Sequence, residues 1–200
     1  MAGIYYEEPD EEQRAALQHA MASWHRDLLE HGLAVTLLVA HGPTDDDGEV
    51  VAPAIMHNGY RALAVVKIVQ QVYRAAGIGD VLVIIDGDRW EELDDETRLA
   101  VLDHELTHVE LQFMSARPKK AKKTKPGEEP EPIRVEPPKL VVDGQGRPRI
   151  TMRKHDKQYG WFDEVAKRHG AASIEVQQAT EIFSLQADIY IVPSRRRRVS

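Results

Sequence analysis

The 200-residue chain contains no cysteine. That excludes disulfides, thiolate zinc sites and cysteine nucleophiles, so any metal must be held by His, Asp or Glu. It also fits a reducing compartment. Long apolar runs are missing too. The longest, near Leu33–Ala40 and Val81–Ile85, are far too short to cross a bilayer. The acidic start, MAGIYYEEPDEE, lacks the basic-then-apolar pattern of a secretory signal, so a cytoplasmic protein without membrane contact is expected. Nor is there an excess of positive charge. A formal net charge of −7 argues against a nucleic-acid binder driven by overall electrostatics. No internal repeat is visible.

What is present suits one globular domain: 42% hydrophobic and 30% charged residues over a length able to bury a core. Leu17, Met21, Trp24 and Leu28 recur at helical spacing, predicting a helix over 9–31 that starts at Pro9-Asp10 and ends at Gly32. Ala34–Val39 and Val81–Ile85 are short, apolar and rich in β-branched residues, so they read as strands, the second as a sheet edge. Residues 41–57 read as a polar loop, and the Asp45-Asp46-Asp47-Gly48 run as a solvated turn, because a calcium loop needs alternating ligands. A second helix is expected over 60–76 and a third from Asp94 to Phe113, opened by Asp94, Asp95 and Glu96. The segment 117–138 is rich in Lys, Glu and Pro and is expected to be a mobile insertion. Leu140–Val142 and Arg149–Met152 flank an Asp143-Gly144-Gln145-Gly146 turn and predict a β-hairpin. Closing helices are expected over 157–169 and 172–188, followed by a basic tail at 193–200.

The chemistry concentrates in His104-Glu105-Leu106-Thr107-His108. Positions four apart on a helix lie about 40° apart around the axis, so both histidines can face one ion. Glu105 stands one step round, placed to act as general base on a water rather than as a ligand. Leu99, Leu102, Leu106, Val109 and Phe113 form an apolar stripe, predicting a helix with leucines toward the core and histidines on a wet face. No glycine and third histidine follow within Val109–Ala116, so the third ligand must come from later in the chain. His155 is the first choice, with Glu164, Asp156 and His169 as alternatives, and Asp156 or Glu164 as groups that could orient His155. Tyr159 is a candidate to stabilise an oxyanion, while Trp161 and Phe162 read as core.

Val81–Ile85, Trp90, Leu93, Arg98-Leu99-Ala100 and Asp103–His108 together resemble the phage metallopeptidase family. Arg153-Lys154-His155-Asp156 with Phe162, Val165 and Gly170 is similar to that family's second block. The resemblance implies a compact α+β, zincin-like fold, a small sheet with packed helices, related in design to SprT-like and minimal gluzincin peptidases. It also implies Zn²⁺ held by His104, His108 and His155, Glu105 as the catalytic residue, and a protein or peptide substrate. His and carboxylate sites accept several divalent ions, so zinc is an expectation. The alternative is a non-catalytic metal- or partner-binding protein on the same fold. Lys119, Lys120, Lys122, Lys123 and Lys125, and Arg195–Arg198, offer nucleic-acid contact as a further expectation, although Glu128, Glu129, Glu131 and Glu136 follow the lysines closely.

Overall fold

The computed structural model describes residues 3–57, 59–114, 137–156 and 161–190. Strand β1 (Tyr5–Glu7) leads into α1 (Glu11–Trp24). Asp10 caps α1 reciprocally with Gln13, each side chain accepting from the other's backbone N–H at 2.7 and 2.9 Å. The helix expected over 9–31 is broken at His25, whose backbone leaves helical geometry, and resumes as α2 (Arg26–Glu30). The break turns the His25 ring onto Asp103, 2.7 Å away.

Strand β2 (Val35–His41) is followed by a long excursion in which Asp45 Oδ1 accepts from the N–H groups of Asp47 and Glu49, an ordinary Asx turn. Strand β3 (Met56–His57) closes the excursion and pairs with β4 (Tyr60–Arg61); β4, β5 (Ala64–Ile68) and α3 (Gln71–Ala75) occupy the stretch expected to be one helix. Only its last third is helical. Val65, Val66 and Ile68 satisfy a strand as well as a helix face, and pairing with β6 (Val81–Asp86) decides for the strand.

The main sheet has the order β1-β2-β6-β5. Strand β6 is parallel to β2, with Val35 opposite Val81 and Ala40 opposite Asp86, and antiparallel to β5. The expectation that Val81–Ile85 forms a sheet edge is therefore wrong: β6 is interior, and β5 is the edge. Val81, Val83 and Ile85 are 0% exposed because helices cover the face they point to.

After α4 (Gly87–Trp90), helix α5 (Asp95–Thr107) starts where Asp94 accepts from the Thr97 N–H at 2.7 Å. It ends at Thr107, nearly two turns earlier than the Phe113 expected. Beyond His108 the chain becomes β7 (Val109–Leu111) and β8 (Phe113–Met114), because these residues pair elsewhere. Strand β9 (Lys139–Leu140) pairs with β8, and β10 (Ile150–Met152) pairs with β7, with Met152 opposite Val109. The 143–146 turn forms as expected, its Asp143 accepting from the N–H groups of Gln145 and Arg147. The arms beyond it splay onto β8 and β7, so only the bonds near the turn join them to each other. Helix α6 (Asp163–His169), a 3-10 turn over Gly170–Ala172 and α7 (Ile174–Tyr190) complete the chain. The expected helix at 157–162 is not seen over 161–162, and 157–160 lie outside the described residues.

The arrangement is α+β. Leu17, Met21, Leu28, Val101, Leu102 and Leu106 from the helices meet Val39, Val66, Val83 and Ile85 from the sheet in one core. A smaller core of Ala40, Ala54, Ile55 and Ile84 lies on the other sheet face, under the 42–62 excursion. The expected two-faced helix is not observed. Every residue of α5 from Ala100 to Thr107 is buried, because the sheet covers one side and α6 and α7 approach the other. Phe113, expected in its apolar stripe, is exposed on β8. The segment 117–136, Tyr159 and the basic tail lie outside the described residues.

Candidate metal centre

Helix α5 carries His104 and Glu105, and His108 is the residue that closes it. The switch from helix to β7 at that point sets the site. As β7 pairs with β10, the Arg153 N–H donates to the His108 carbonyl at 2.7 Å, and the His108 Nδ1–H donates to the Arg153 carbonyl at 2.8 Å. Two residues further on, His155 arrives beside both helix histidines, with ring centroids 5.2 Å from His104 and 4.5 Å from His108.

The hydrogen bonds fix which nitrogen of each ring is free. A carbonyl only accepts, so His108 carries its proton on Nδ1 and presents the Nε2 lone pair. His104 Nδ1 lies 2.8 Å from Glu175 Oε1 on α7, a carboxylate that likewise calls for a donor. His104 therefore also presents Nε2, and His155 Nε2 faces it at 3.2 Å. Ligand nitrogens of the three residues lie within 4.8 Å of one another and could hold a metal ion. Nitrogens bound tetrahedrally at about 2.0–2.1 Å stand roughly 3.4 Å apart, so the closest pair already has that spacing. Two imidazole lone pairs so close repel unless a proton or cation lies between them. Three nitrogen donors, two of them with their far sides engaged by protein acceptors, are a donor set that fits zinc.

The ring of Phe162, 0% exposed, lies against all three imidazoles at centroid distances of 5.1, 4.8 and 4.8 Å. It is core, as expected, but core of the site. Burial and the neighbouring imidazoles push His155 down from its ordinary value. Burial takes His108 down to about 4, with His104, His155 and His57 adding to the effect. For His104, burial acts downward, but the Glu175 hydrogen bond and the charges of Glu105, Glu175 and Asp103 outweigh it and raise the value.

Glu105 is 8% exposed, and burial pushes its carboxyl up to about 7, assisted by the Glu175 charge. His104 and the Val66 N–H pull the other way. That N–H belongs to the free edge of β5. Bonds from Asp86 N–H to the Leu63 carbonyl and from Val69 N–H to the Asp80 carbonyl set the alternation, which turns Ala64, Val66 and Ile68 away from β6. Glu105 thus sits between the imidazole cluster and the edge of β5, which has no further strand partner among the described residues.

The other ligand candidates are engaged elsewhere. Glu164 and Asp156 both bond Arg153, Asp156 at 3.0 Å, and Glu164 also takes Arg168 at 3.0 Å. Glu164 and Asp156 hold the guanidinium of Arg153, the residue whose backbone carbonyl orients His108. His169 bonds Asp103 at 2.9 Å, in a buried cluster with His25 and Arg168. Two nearby groups were not anticipated. Glu175 had no sequence signal beyond being one acid on a predicted helix. His57, exposed on β3, lay in a stretch read as loop, yet it is close enough to be felt by both His108 and His155.

A histidine triad beside a buried carboxyl, on a helix under a mixed sheet, defines a compact α+β domain of the metallopeptidase type. Residues 5–184 match the family described as Putative phage metallopeptidase, and the chain belongs to that family. No curated protein and no solved structure matches it. Among the described residues, no helix is long and apolar enough to cross a membrane.

Proposed function

We propose that the protein is a zinc-dependent peptidase in which His104, His108 and His155 hold the ion and Glu105 carries the proton. The observation that supports this most directly is the convergence of one ring nitrogen from each of three histidines, the His104 and His108 rings held from behind, with one carboxyl beside them. When bound, zinc supplies a Lewis acid for the peptide carbonyl and lowers the pKa of a water toward about 7.

The protein groups do the rest. A carboxyl near 7 can accept a proton from water and return it to the departing amine, and a dication at the imidazoles would draw that value down. The open edge of β5 offers the backbone groups of Ala64, Val66 and Ile68 to an extended peptide, which would lie antiparallel or parallel to the strand above the helix. Phe162 and the α6–α7 pair exclude water from below. The substrate is a protein or peptide, and the compartment is the cytoplasm. Nucleic-acid contact, if it occurs, belongs to the two basic segments outside the described residues.

Glu105→Gln is expected to retain stoichiometric metal but lose hydrolysis of casein or a peptide library, and His104→Ala to lose the metal. Hydrolysis undiminished in Glu105→Gln would rule out the assignment. The competing reading, a metal-binding protein without turnover, predicts no cleavage by the wild type and the same metal content in both it and Glu105→Gln.

A further inference from the structure

Asp86 ends β6 on the sheet face opposite the metal centre. Along β6, Val81, Val83 and Ile85 join the core shared with α5, whereas Ile84 joins the smaller core, and Asp86 has the parity of Ile84. It is 1% exposed, and neither carboxylate oxygen has a hydrogen-bond partner among the described residues. Burial pushes its carboxyl above the usual range, while the N–H groups of Arg89 and Asp88 pull it back without reaching hydrogen-bond geometry. An ionised carboxylate left in that state is strongly disfavoured.

The side chain lines a cavity of about 130 Å³ together with Val50, Val51, Pro53, Arg61 and Arg89. The walls are set by tight packing. The Val51 N–H donates to the Pro43 carbonyl at 2.9 Å, and a Cβ on Gly42 would stand 2.2 Å from the Ala52 carbonyl. The second acid at the cavity, Asp88, is spent: its oxygens hold His41 Nδ1 and the Gly42 N–H, both at 2.7 Å. Arg61 and Arg89 have no ion-pair partner among the described residues. The cavity thus combines one unpartnered buried acid with two unpaired guanidinium groups.

A divalent cation is disfavoured by the two arginines, and a plain anion by the buried acid. We propose that this cavity binds a small α-amino acid as its zwitterion, the ammonium group on Asp86 and the carboxylate on Arg61 and Arg89. The size sets the class. At roughly 30 Å³ per water, the volume equals that of about four waters, which suits a ligand the size of glycine or alanine. Bidentate capture of a carboxylate is what guanidinium groups do well, and an ammonium supplies the donors that Asp86 lacks. The site is separate from the metal centre and its occupancy does not depend on peptidase activity.

Thermal melting and calorimetric titration of the full chain test this with L-alanine and glycine as probes, against methylammonium, acetate and calcium chloride. A saturable rise in melting temperature with the amino acids, larger than with either half-molecule, is expected. Asp86→Asn and Arg61→Ala should each weaken binding by roughly tenfold or more. Arg61 is exposed, so its variant tests the idea even if Asp86→Asn folds poorly. No response to either amino acid would overturn the proposal, as would unchanged affinity in Arg61→Ala. A response to calcium or to methylammonium alone would overturn it as well, assigning the cavity to a simple cation.

Discussion

Replacing Glu175 separates the chemistry of the metal centre from the stability of the fold. Its Oε1 holds His104 Nδ1 at 2.8 Å, while Oε2 is buried without a partner among the described residues, in a side chain only 1% exposed. A carboxylate behind a ligand imidazole raises the basicity of the far nitrogen, and losing such a partner typically costs about 10- to 100-fold in metal affinity, or about 1.4–2.7 kcal/mol. Glu175→Gln keeps an acceptor for the imidazole N–H but removes the charge, so it should fall near the lower end. Glu175→Ala leaves that N–H without its acceptor and should reach the upper end. Stability of the metal-free protein should move differently. The glutamine variant relieves a buried, half-satisfied charge and should melt no lower than wild type, whereas alanine opens a cavity and should melt lower. Competition with a chromophoric chelator gives the affinity, and melting in excess chelator gives the stability. Unchanged zinc affinity in both variants, or a loss that merely tracks melting temperature, would refute the assignment of Glu175 as a group that orients and charges His104.

His155→Ala should abolish metal retention through gel filtration, whereas Glu164→Gln should not, since Glu164 is bound to Arg153 and Arg168; elemental analysis of both decides the third ligand. Asp103→Asn leaves Arg168, His25 and His169 around a neutral group. Its expected cost of about 3–5 kcal/mol would be read from urea unfolding. Burial raises the Asp103 pKa, but hydrogen bonds from His25 and Arg168 outweigh it, so the folded value is held below the ordinary 3.8. The stabilisation is then present above that ordinary value and lost as pH falls through the folded one, and the Asn variant should show a flatter acid limb in melting temperature against pH.

The sequence made the motif legible because its information is local: i, i+4 spacing needs only a helix, and α5 is there. Strand β6 and α1 were legible for the same reason. Residues 60–76 were not. Their apolar pattern satisfies both periods, and the deciding interaction, β5 against β6, joins partners 13 to 21 residues apart, which propensity does not weigh. Val81–Ile85 was correctly read as a strand and wrongly placed at an edge, since position in a sheet is a tertiary property. The end of α5 was misjudged because nothing in Val109–Phe113 opposes a helix. It is the pairing with β10 that ends it. His155 was named as a candidate from its place after the hairpin, but Glu175, His57 and the Asp103 cluster needed coordinates.

The paired hydrogen bonds between His108 and Arg153 have a consequence for how the chain is held together. They bring the end of α5 to the residue two before His155, across the whole stretch from 109 to 152. In a chain without cysteine, three imidazoles drawn from both sides of that closure would act, once metallated, as a cross-link. An ion that binds only the closed form stabilises it by mass action, by about 2.7 kcal/mol at a concentration 100 times its dissociation constant. Chelation would therefore do to this protein what reduction does to a disulfide-bonded one: release the β7–β10 seam first, and with it the far half of the site.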